Sequence, residues 1–204
     1  MMDIAVLVSG SGTNLQSIID AVEAKEIKAN IKLVLSDNAD AYALVRAKKH
    51  AIPIEVISKL DFPIRADYDV KLASVLKGHS IELVVLAGFM RLLSPAMLKA
   101  FPERIINIHP SLLPSFPGLN VQREALEHGV KFSGCTVHFV DEGLDNGPII
   151  IQAAVPVLQD DTVDTLKERI LVEEHKIYPR AIDYISRGLV RIEGRRVFIT
   201  EDAE

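Results

Sequence analysis

Short apolar runs alternate with helical patterns along the first half of the chain, and this alternation limits the fold more than any other feature. The runs short enough for single strands cover residues 4–8, 31–36, 53–56, 83–87 and 105–108. Helical spacing is found between them, in the set Leu15, Ile18, Ile19 and Val22 and over about 41–50, 64–77 and 95–100. Apolar strands that alternate with helices are typical of a parallel sheet covered by helices. The sequence therefore predicts an α/β fold with a doubly wound, mostly parallel, Rossmann-like sheet.

The second half of the chain has a different pattern, which predicts a mixed half. A short helix is predicted at 121–129, two longer strands at 133–140 and 148–157, a long helix at about 162–186, and a hairpin around Gly194. Pro179 is expected to kink or end the long helix, because proline removes a helical hydrogen bond. We predict one domain over residues 1–204, with halves at about 1–110 and about 111–204.

Composition excludes several classes of function. The chain has 204 residues, 49% of them hydrophobic, and a net charge of −5, which is unfavourable for non-specific nucleic-acid binding. No apolar run approaches the ~20 residues that span a bilayer, and no signal peptide is evident. The single cysteine, Cys135, allows neither a disulfide framework nor a Cys-based metal cluster. We expect a cytoplasmic protein without a metal, in which Cys135 is buried rather than a nucleophile.

In open parallel sheets, ligands bind beyond the carboxyl ends of the strands. The first strand is followed by "SGSGTNLQSII", residues 9–19, where glycines allow close backbone approach and Thr13 or Asn14 can cap the helix. Such a helix start can bind a phosphate. A dinucleotide is less favoured, because Leu15 occupies the position of the third glycine in that motif.

Two other strand ends carry unusual residues. The fourth strand leads into "LAGFMRLLSP", residues 86–95, where apolar side chains surround Arg91. This segment suits a flat, partly aromatic ligand, although packing against the next helix explains it equally well. The fifth strand ends with Asn107 and His109, which alternation places on one face. Two hydrogen-bonding groups on a rigid strand can address one small target, or cap the following proline-rich loop.

Two carboxylates complete the candidate set. Asp145 lies in the acidic turn of "HFVDEGLDNGPIII", residues 138–151, and can orient an imidazole used in proton chemistry. His138, on the strand before this turn, can assist it indirectly. Glu174 interrupts the apolar face of the long helix between Ile170 and Ile177. A carboxylate there is costly unless it is paired or used, so an ion pair and ligand binding are both open.

The chain resembles the phosphoribosylglycinamide formyltransferase family of the formyltransferase superfamily. The resemblance covers nearly the whole chain, in the segments "VLVSGSGTNLQSIID", "VVLAGFMRLLSP", "NIHPSLLPSFPGLN", "HFVDEGLDNGPIIIQ" and "EEHKIYP". The proline-rich and acidic segments are shared with other formyl-folate enzymes. The first segment and the chain length favour this family. It implies the formyltransferase fold and formyl transfer from 10-formyltetrahydrofolate to the amine of glycinamide ribonucleotide in purine synthesis.

The resemblance also implies roles for particular residues. The catalytic trio falls on Asn107, His109 and Asp145. The ribonucleotide contacts fall on Gly12, Thr13, Asn14 and Glu174. The folate contacts fall on Arg65, Met90, Arg91, Leu92, Leu93, Asn107, Val140 and Asp141. The implied partners are small-molecule substrates, with no nucleic acid and no membrane, and the chain is expected to be a monomer or homodimer.

Four other functions compete with this one. A formyltetrahydrofolate hydrolase would use the same trio on water, without a phosphate loop. Methionyl-tRNA formyltransferase would need an RNA-binding extension and a basic surface. A non-catalytic nucleotide-binding module would have no reason to combine the trio, and a reductase would need the missing third glycine.

Overall fold

The computed structural model describes residues 1–200, which form a first compact unit, residues 1–107, and a second that begins at Ile108. Within this part of the chain, no helix is both long and apolar enough to cross a membrane. The expectation of one domain over residues 1–204 stays a prediction.

The first unit consists of strands that alternate with helices, as the apolar runs predict. Its elements are β1 (Met2–Val8), α1 (Thr13–Glu23), β2 (Ala29–Ser36), α2 (Tyr42–Lys49), β3 (Ile54–Val56), a 3₁₀ turn (Lys59–Asp61), α3 (Arg65–Gly78), β4 (Leu83–Leu86), α4 (Pro95–Ala100) and β5 (Ile105–His109), whose last two residues belong to the second unit. The strands are parallel in the order β3-β2-β1-β4-β5. The chain thus winds outward from β1, returns to β4 beside it, and winds the other way. The carboxyl ends of β1 and β4 form the switch point where ligands bind in such sheets.

The second unit is mixed, also as predicted. Its elements are α5 (Val121–Glu127), β6 (Phe132–Phe139), β7 (Ile149–Pro156), α6 (Val163–Ser186), β8 (Val190–Glu193) and β9 (Arg196–Ile199). β6 and β7 are antiparallel, β9 runs parallel to β7 through the pair Ile149 and Arg196, and β8 is antiparallel to β9. The predicted α/β class, parallel in its first half and mixed in its second, is confirmed.

α6 continues through Pro179. The expectation that this residue ends the helix is therefore wrong, and the alternative, a kink, stays a prediction. A capping box formed by Thr162 and Thr165 starts the helix. Around the proline, Ile177, Tyr178, Ala181 and Pro179 itself are all buried. Tertiary packing of this kind supplies most helical stability, and here it outweighs the cost of an interior proline, about 3 kcal/mol.

Candidate active site

The turn between β1 and α1 approaches a neighbouring helix closely. Gly12 occupies the N-cap position of α1 with φ +71°, so the prediction that Thr13 or Asn14 caps this helix is wrong. A Cβ on residue 12 would lie 2.5 Å from the Cβ of Ala43. Glycine satisfies both the left-handed backbone and this close approach. The Nε of Arg46 also donates a hydrogen bond to the carbonyl of Ser11, at 2.9 Å.

This turn lines a cavity of about 170 Å³ at the switch point of the first unit. Its walls are residues 9–14, Ala87, Gly88 and Met90, from the ends of β1 and β4. The two strand ends are joined, because Ser9 N–H donates to the carbonyl of Gly88 and Met90 N–H donates to Ser9 Oγ. Backbone N–H groups at a helix start are suited to binding an anion. The three residues expected at a phosphate, Gly12, Thr13 and Asn14, therefore share one cavity with Met90.

An open groove of about 400 Å³ lies in the same unit. It is lined by Lys59, Leu60, Phe62, Pro63, Arg65, Arg91 and Leu92. Met90 and Leu92 are 72% and 56% exposed, so they do not simply pack against the following helix, whereas Leu93 is half-buried. Exposed apolar side chains beside three cations suit a flat ligand that carries carboxylates.

Buried groups beneath this groove hold the segment that follows β4. The guanidinium of Arg91 lies 4.1 Å from the ring centroid of Tyr68, a cation–π contact. Burial, and then the charge of Asp37, raises the pKa of the Tyr68 hydroxyl, which stays protonated. The fully buried Asp69 accepts a hydrogen bond from Ser94 N–H through Oδ2, at 2.5 Å. These contacts fix both ends of the segment 91–94.

His109 ends β5 with an oxygen near each ring nitrogen. Its Nδ1 lies 3.4 Å from Asp145 Oδ2, and its Nε2 lies 2.9 Å from the carbonyl of Phe116. His109 and the Asp145 side chain are both largely buried, at 4% and 13% exposure. The contact therefore lies where water screens electrostatic interactions weakly. Asn107, two residues before His109 in the same strand, is half-buried.

The loop after β5 is fastened to the strands of its own unit. Ser111 Oγ donates to the carbonyls of Ser115 and Phe116, at 2.6 and 3.1 Å. Thr136 Oγ1 accepts a hydrogen bond from Leu113 N–H and donates to the carbonyl of Ser111. The carbonyl of Phe116 thus has two neighbouring donors, Ser111 and His109, which hold it beside the imidazole.

The acidic turn between β6 and β7 is organised by its own side chains. Asp141 accepts hydrogen bonds from Gly143 N–H and from the side-chain amide of Asn146. Asp145 has φ +47°, a left-handed conformation that costs energy for a residue other than glycine. Its Oδ2 also accepts a hydrogen bond from Gly118 N–H at 2.9 Å. Asp141 and the half-buried Val140 lie at the start of this turn and Asp145 near its end.

His138 is a second imidazole beside the same carboxylate. Its Nδ1 donates to the carbonyl of Phe139 at 2.8 Å, and its Nε2 lies 3.8 Å from Asp145 Oδ1. Burial is the largest effect and lowers the pKa of His138, against the smaller opposing effects of the Phe139 carbonyl and Asp145. Burial therefore favours the neutral form of His138.

Glu174 is buried on the face of α6 that its spacing predicts, at 7% exposure. Its charge is close enough to contribute to the raised pKa of Cys135 in β6. Burial is the main cause, and it raises that pKa to about 12. The expectation that Cys135 is a buried thiol is confirmed. Among residues 1–200, no group of three His, Cys, Asp or Glu side chains could hold a metal ion.

The structure thus brings together some of the predicted site residues, each group within one unit. In the first unit, Gly12, Thr13, Asn14 and Met90 share the cavity, and Arg65, Arg91 and Leu92 share the groove. In the second unit, His109 contacts Asp145. One contact was missed by sequence reasoning: Arg195, in the C-terminal hairpin, donates to the carbonyl of Asn146 beside Asp145. The only signal for it was the hairpin predicted around Gly194.

A family model described as "Formyl transferase" matches residues 2–182 of the chain. The chain is 44% identical over 191 residues to "Phosphoribosylglycinamide formyltransferase" of Escherichia coli strain K12, covering 94% of this chain and 90% of that protein. It is 52% identical over 190 residues to "Trifunctional purine biosynthetic protein adenosine-3" of Drosophila pseudoobscura pseudoobscura, covering 92% of this chain. The chain spans only 14% of the length of that protein.

Among solved structures, the chain is similar to glycinamide ribonucleotide transformylase 1 from Symbiobacterium toebii. The TM-score is 0.97 at 55% sequence identity, and the match covers 98% of this chain and 95% of the other. The predicted formyltransferase fold is confirmed by this match, and so is the resemblance seen in the sequence.

Proposed function

We propose that this chain, which belongs to the formyl transferase family, transfers the formyl group of 10-formyltetrahydrofolate to the amine of glycinamide ribonucleotide. The names of its relatives support this reaction in purine synthesis. The geometric observation that carries the proposal is the buried contact of His109 Nδ1 with Asp145 Oδ2, at 3.4 Å. The reaction needs such a pair, because a proton must move between two nitrogens while negative charge develops on an oxygen.

The transfer requires no covalent enzyme intermediate. The amine nitrogen of the ribonucleotide attacks the formyl carbon, and the carbonyl electron pair moves to oxygen as a tetrahedral centre forms. The bond from this carbon to the folate nitrogen then breaks, and a proton from the amine ends on that nitrogen. The products are the formylated ribonucleotide and tetrahydrofolate. The high pKa of buried Cys135 agrees with a route that needs no thiolate nucleophile.

Asn107 and His109 are proposed to donate hydrogen bonds to the developing oxyanion. As alternate residues of β5, they project from the same side of the strand. Preorganised donors of this type are worth about 3–4 kcal/mol each at comparable sites. His109 Nε2 lies beside the carbonyl of Phe116, so this nitrogen must exchange that acceptor to address substrate. Asp145 orients the imidazole and assists the proton transfer, through a water molecule.

The substrate contacts are proposed on the same basis. The cavity at the ends of β1 and β4 supports phosphate binding by Gly12, Thr13 and Asn14, and we assign Glu174 to the glycinamide part. The cationic groove supports folate binding by Arg65, Arg91 and Leu92. We assign as further folate contacts Met90, Leu93, Asn107, Val140 and Asp141. We expect the chain to act on these small molecules in the cytoplasm, as a monomer or homodimer.

The test is an absorbance assay for the folate product, run with and without glycinamide ribonucleotide. We expect turnover that requires the ribonucleotide and that falls about 100-fold or more in Asp145→Asn, the lower range for loss of acid–base catalysis. Asp160→Asn, a change of an exposed carboxylate in the same unit, serves as the control. Equal turnover without the ribonucleotide would instead identify a hydrolase. No turnover in either condition would favour a non-catalytic binding module.

A further inference from the structure

The tip of the C-terminal hairpin contacts the loop that carries Asp145. Arg195 Nη2 donates a hydrogen bond to the main-chain carbonyl of Asn146 at 2.7 Å, and lies 3.4 Å from the side-chain oxygen of the same residue. Asn146 directly follows Asp145. We propose that Arg195 is a positioning residue for formyl transfer, which acts through the backbone of this loop on the Asp145 carboxylate. This inference rests on the proposed function.

Asp145 is a position where the backbone needs support. Its left-handed conformation, φ +47°, is of a kind that persists only when surrounding contacts hold it in place. Gly118 N–H holds the carboxylate itself. Gly147, two residues further on, packs so closely that a Cβ there would overlap the carbonyl oxygen of Phe139. Arg195 holds the carbonyl of Asn146, between these two points, and so restrains the peptide between Asn146 and Gly147.

The hairpin is attached where the loop ends. β9 begins at Arg196, which pairs with Ile149 at the start of β7, while Arg195 precedes that pair by one residue. β8 and β9 pair with each other over four residues, so the arginine extends from a short, paired ribbon rather than from an isolated turn. Main-chain pairing therefore brings the hairpin tip to the loop, and the Arg195 side chain spans the remaining distance.

Arg195 is exposed, so its role in positioning Asp145 can be tested without unfolding the protein. Exposed charged contacts contribute little to the stability of a protein, so removing the guanidinium is expected to leave the fold intact. The reaction rate is expected to depend more strongly on Arg195 than stability does, because it depends on the position of Asp145 relative to His109. A displacement of about 1 Å in a catalytic group can cost as much as 100-fold in rate, and the His109–Asp145 contact is already 3.4 Å long.

The first readout is hydrogen exchange of the Gly118 amide, which donates to Asp145. Arg195→Ala is expected to speed this exchange about threefold or more, because the loop opens more often when its restraint is lost. Arg191→Ala is the matched control. It removes an exposed arginine from the same hairpin, one that pairs with Glu193, and should exchange like the wild type. This measurement requires no activity, so it tests the contact even if the proposed function fails.

The second readout separates kcat from KM in the ribonucleotide-dependent assay. Arg195→Ala should lower kcat about tenfold and change both KM values less than about twofold, because the substrate contacts are intact. Arg195→Lys keeps a donor and should recover most of the rate. Equal kcat in the Arg195→Ala and Arg191→Ala variants overturns the inference, whether or not exchange differs. If the wild type shows no ribonucleotide-dependent turnover, the proposed function is overturned. If exchange of the Gly118 amide is unchanged in Arg195→Ala, the restraint of Arg195 on the loop that carries Asp145 is overturned.

Discussion

Glu174 is the residue whose burial most needs a reason. It occupies the apolar face of α6 between buried Ile170 and Ile177, at 7% exposure. A buried carboxylate is stabilised by partners with hydrogen-bond donors or positive charge, and the amine of a ligand provides both. A substitution that removes the charge of Glu174 but keeps its shape therefore distinguishes two roles. If Glu174 contacts the glycinamide group, the KM for the ribonucleotide rises. If it forms a structural ion pair, the stability of the protein falls.

Glu174→Gln is expected to raise the KM for glycinamide ribonucleotide about tenfold or more and to leave the KM for the folate within about twofold. A hydrogen bond to a charged group is worth about 1.5–3 kcal/mol, which sets this scale. Initial rates against each substrate provide the measurement. Glu168→Gln, on the exposed side of α6, is the control. A loss of stability with both KM values unchanged would instead assign Glu174 to a structural ion pair.

The surroundings of individual residues were predictable where local pattern determines them. The burial of Glu174 was predictable because helical spacing alone places it on the apolar face of α6. The position of Asn107 and His109 in one strand was predictable because the run around them is apolar. Arg195 was not found, since its contact with Asn146 joins residues 49 positions apart and depends on how a hairpin tip packs. The left-handed backbone of Asp145 was equally invisible, because aspartate is common in turns of every kind.

The helices and strands were predicted well because burial in a parallel sheet leaves continuous apolar runs in the strands and a helical period between them. The runs at 4–8 and 83–87, for example, became β1 (Met2–Val8) and β4 (Leu83–Leu86). Errors arose where packing opposes a local preference. Pro179 disfavours a helix interior, yet α6 buries it among Ile177, Tyr178 and Ala181. The N-cap of α1 is another such error, because the contact of Gly12 with Ala43 selects glycine over the usual capping residues.

The β1–α1 turn predicts a difference between its two glycines. Gly12→Ala should lower the free energy of unfolding by about 1–3 kcal/mol, because alanine is strained at positive φ and its Cβ would collide with Ala43. Gly10→Ala is the matched control, since a Cβ on residue 10 meets nothing within 4 Å. Urea unfolding followed by circular dichroism measures both. Equal losses in the two variants would contradict the close approach.

At the scale of the whole molecule, stability depends on pH partly through His138. Burial lowers its pKa in the folded chain below the ordinary value of 6.5. Above pH 6.5 the imidazole is neutral in both states and does not affect folding. Below it, the unfolded chain binds a proton that the folded chain does not, so stability falls as the pH decreases from 6.5 toward the lowered folded pKa.

We therefore expect the urea midpoint of the wild type to decrease as the pH is lowered from about 7.5 to about 5.5, and to decrease less in His138→Asn. The asparagine amide can still donate to the carbonyl of Phe139, in place of Nδ1. His128→Asn, a change of an exposed histidine, should follow the wild type.

The Asp161–Arg169 pair does not affect stability in this pH range. Its hydrogen bond from Arg169 lowers the pKa of Asp161, so the stability that this pair provides is lost only below about pH 4. Parallel curves for the wild type and His138→Asn would contradict this origin.

The burial of Cys135 makes the chain well suited to site-specific labelling. It is the single cysteine in the sequence, and its pKa of about 12 leaves almost no thiolate for maleimide reagents at neutral pH. A substitution such as Leu144→Cys, at a half-exposed position of the acidic turn, would therefore introduce the one thiol that such reagents modify. A fluorophore attached there could follow the motion of the turn during turnover, without prior removal of a native cysteine.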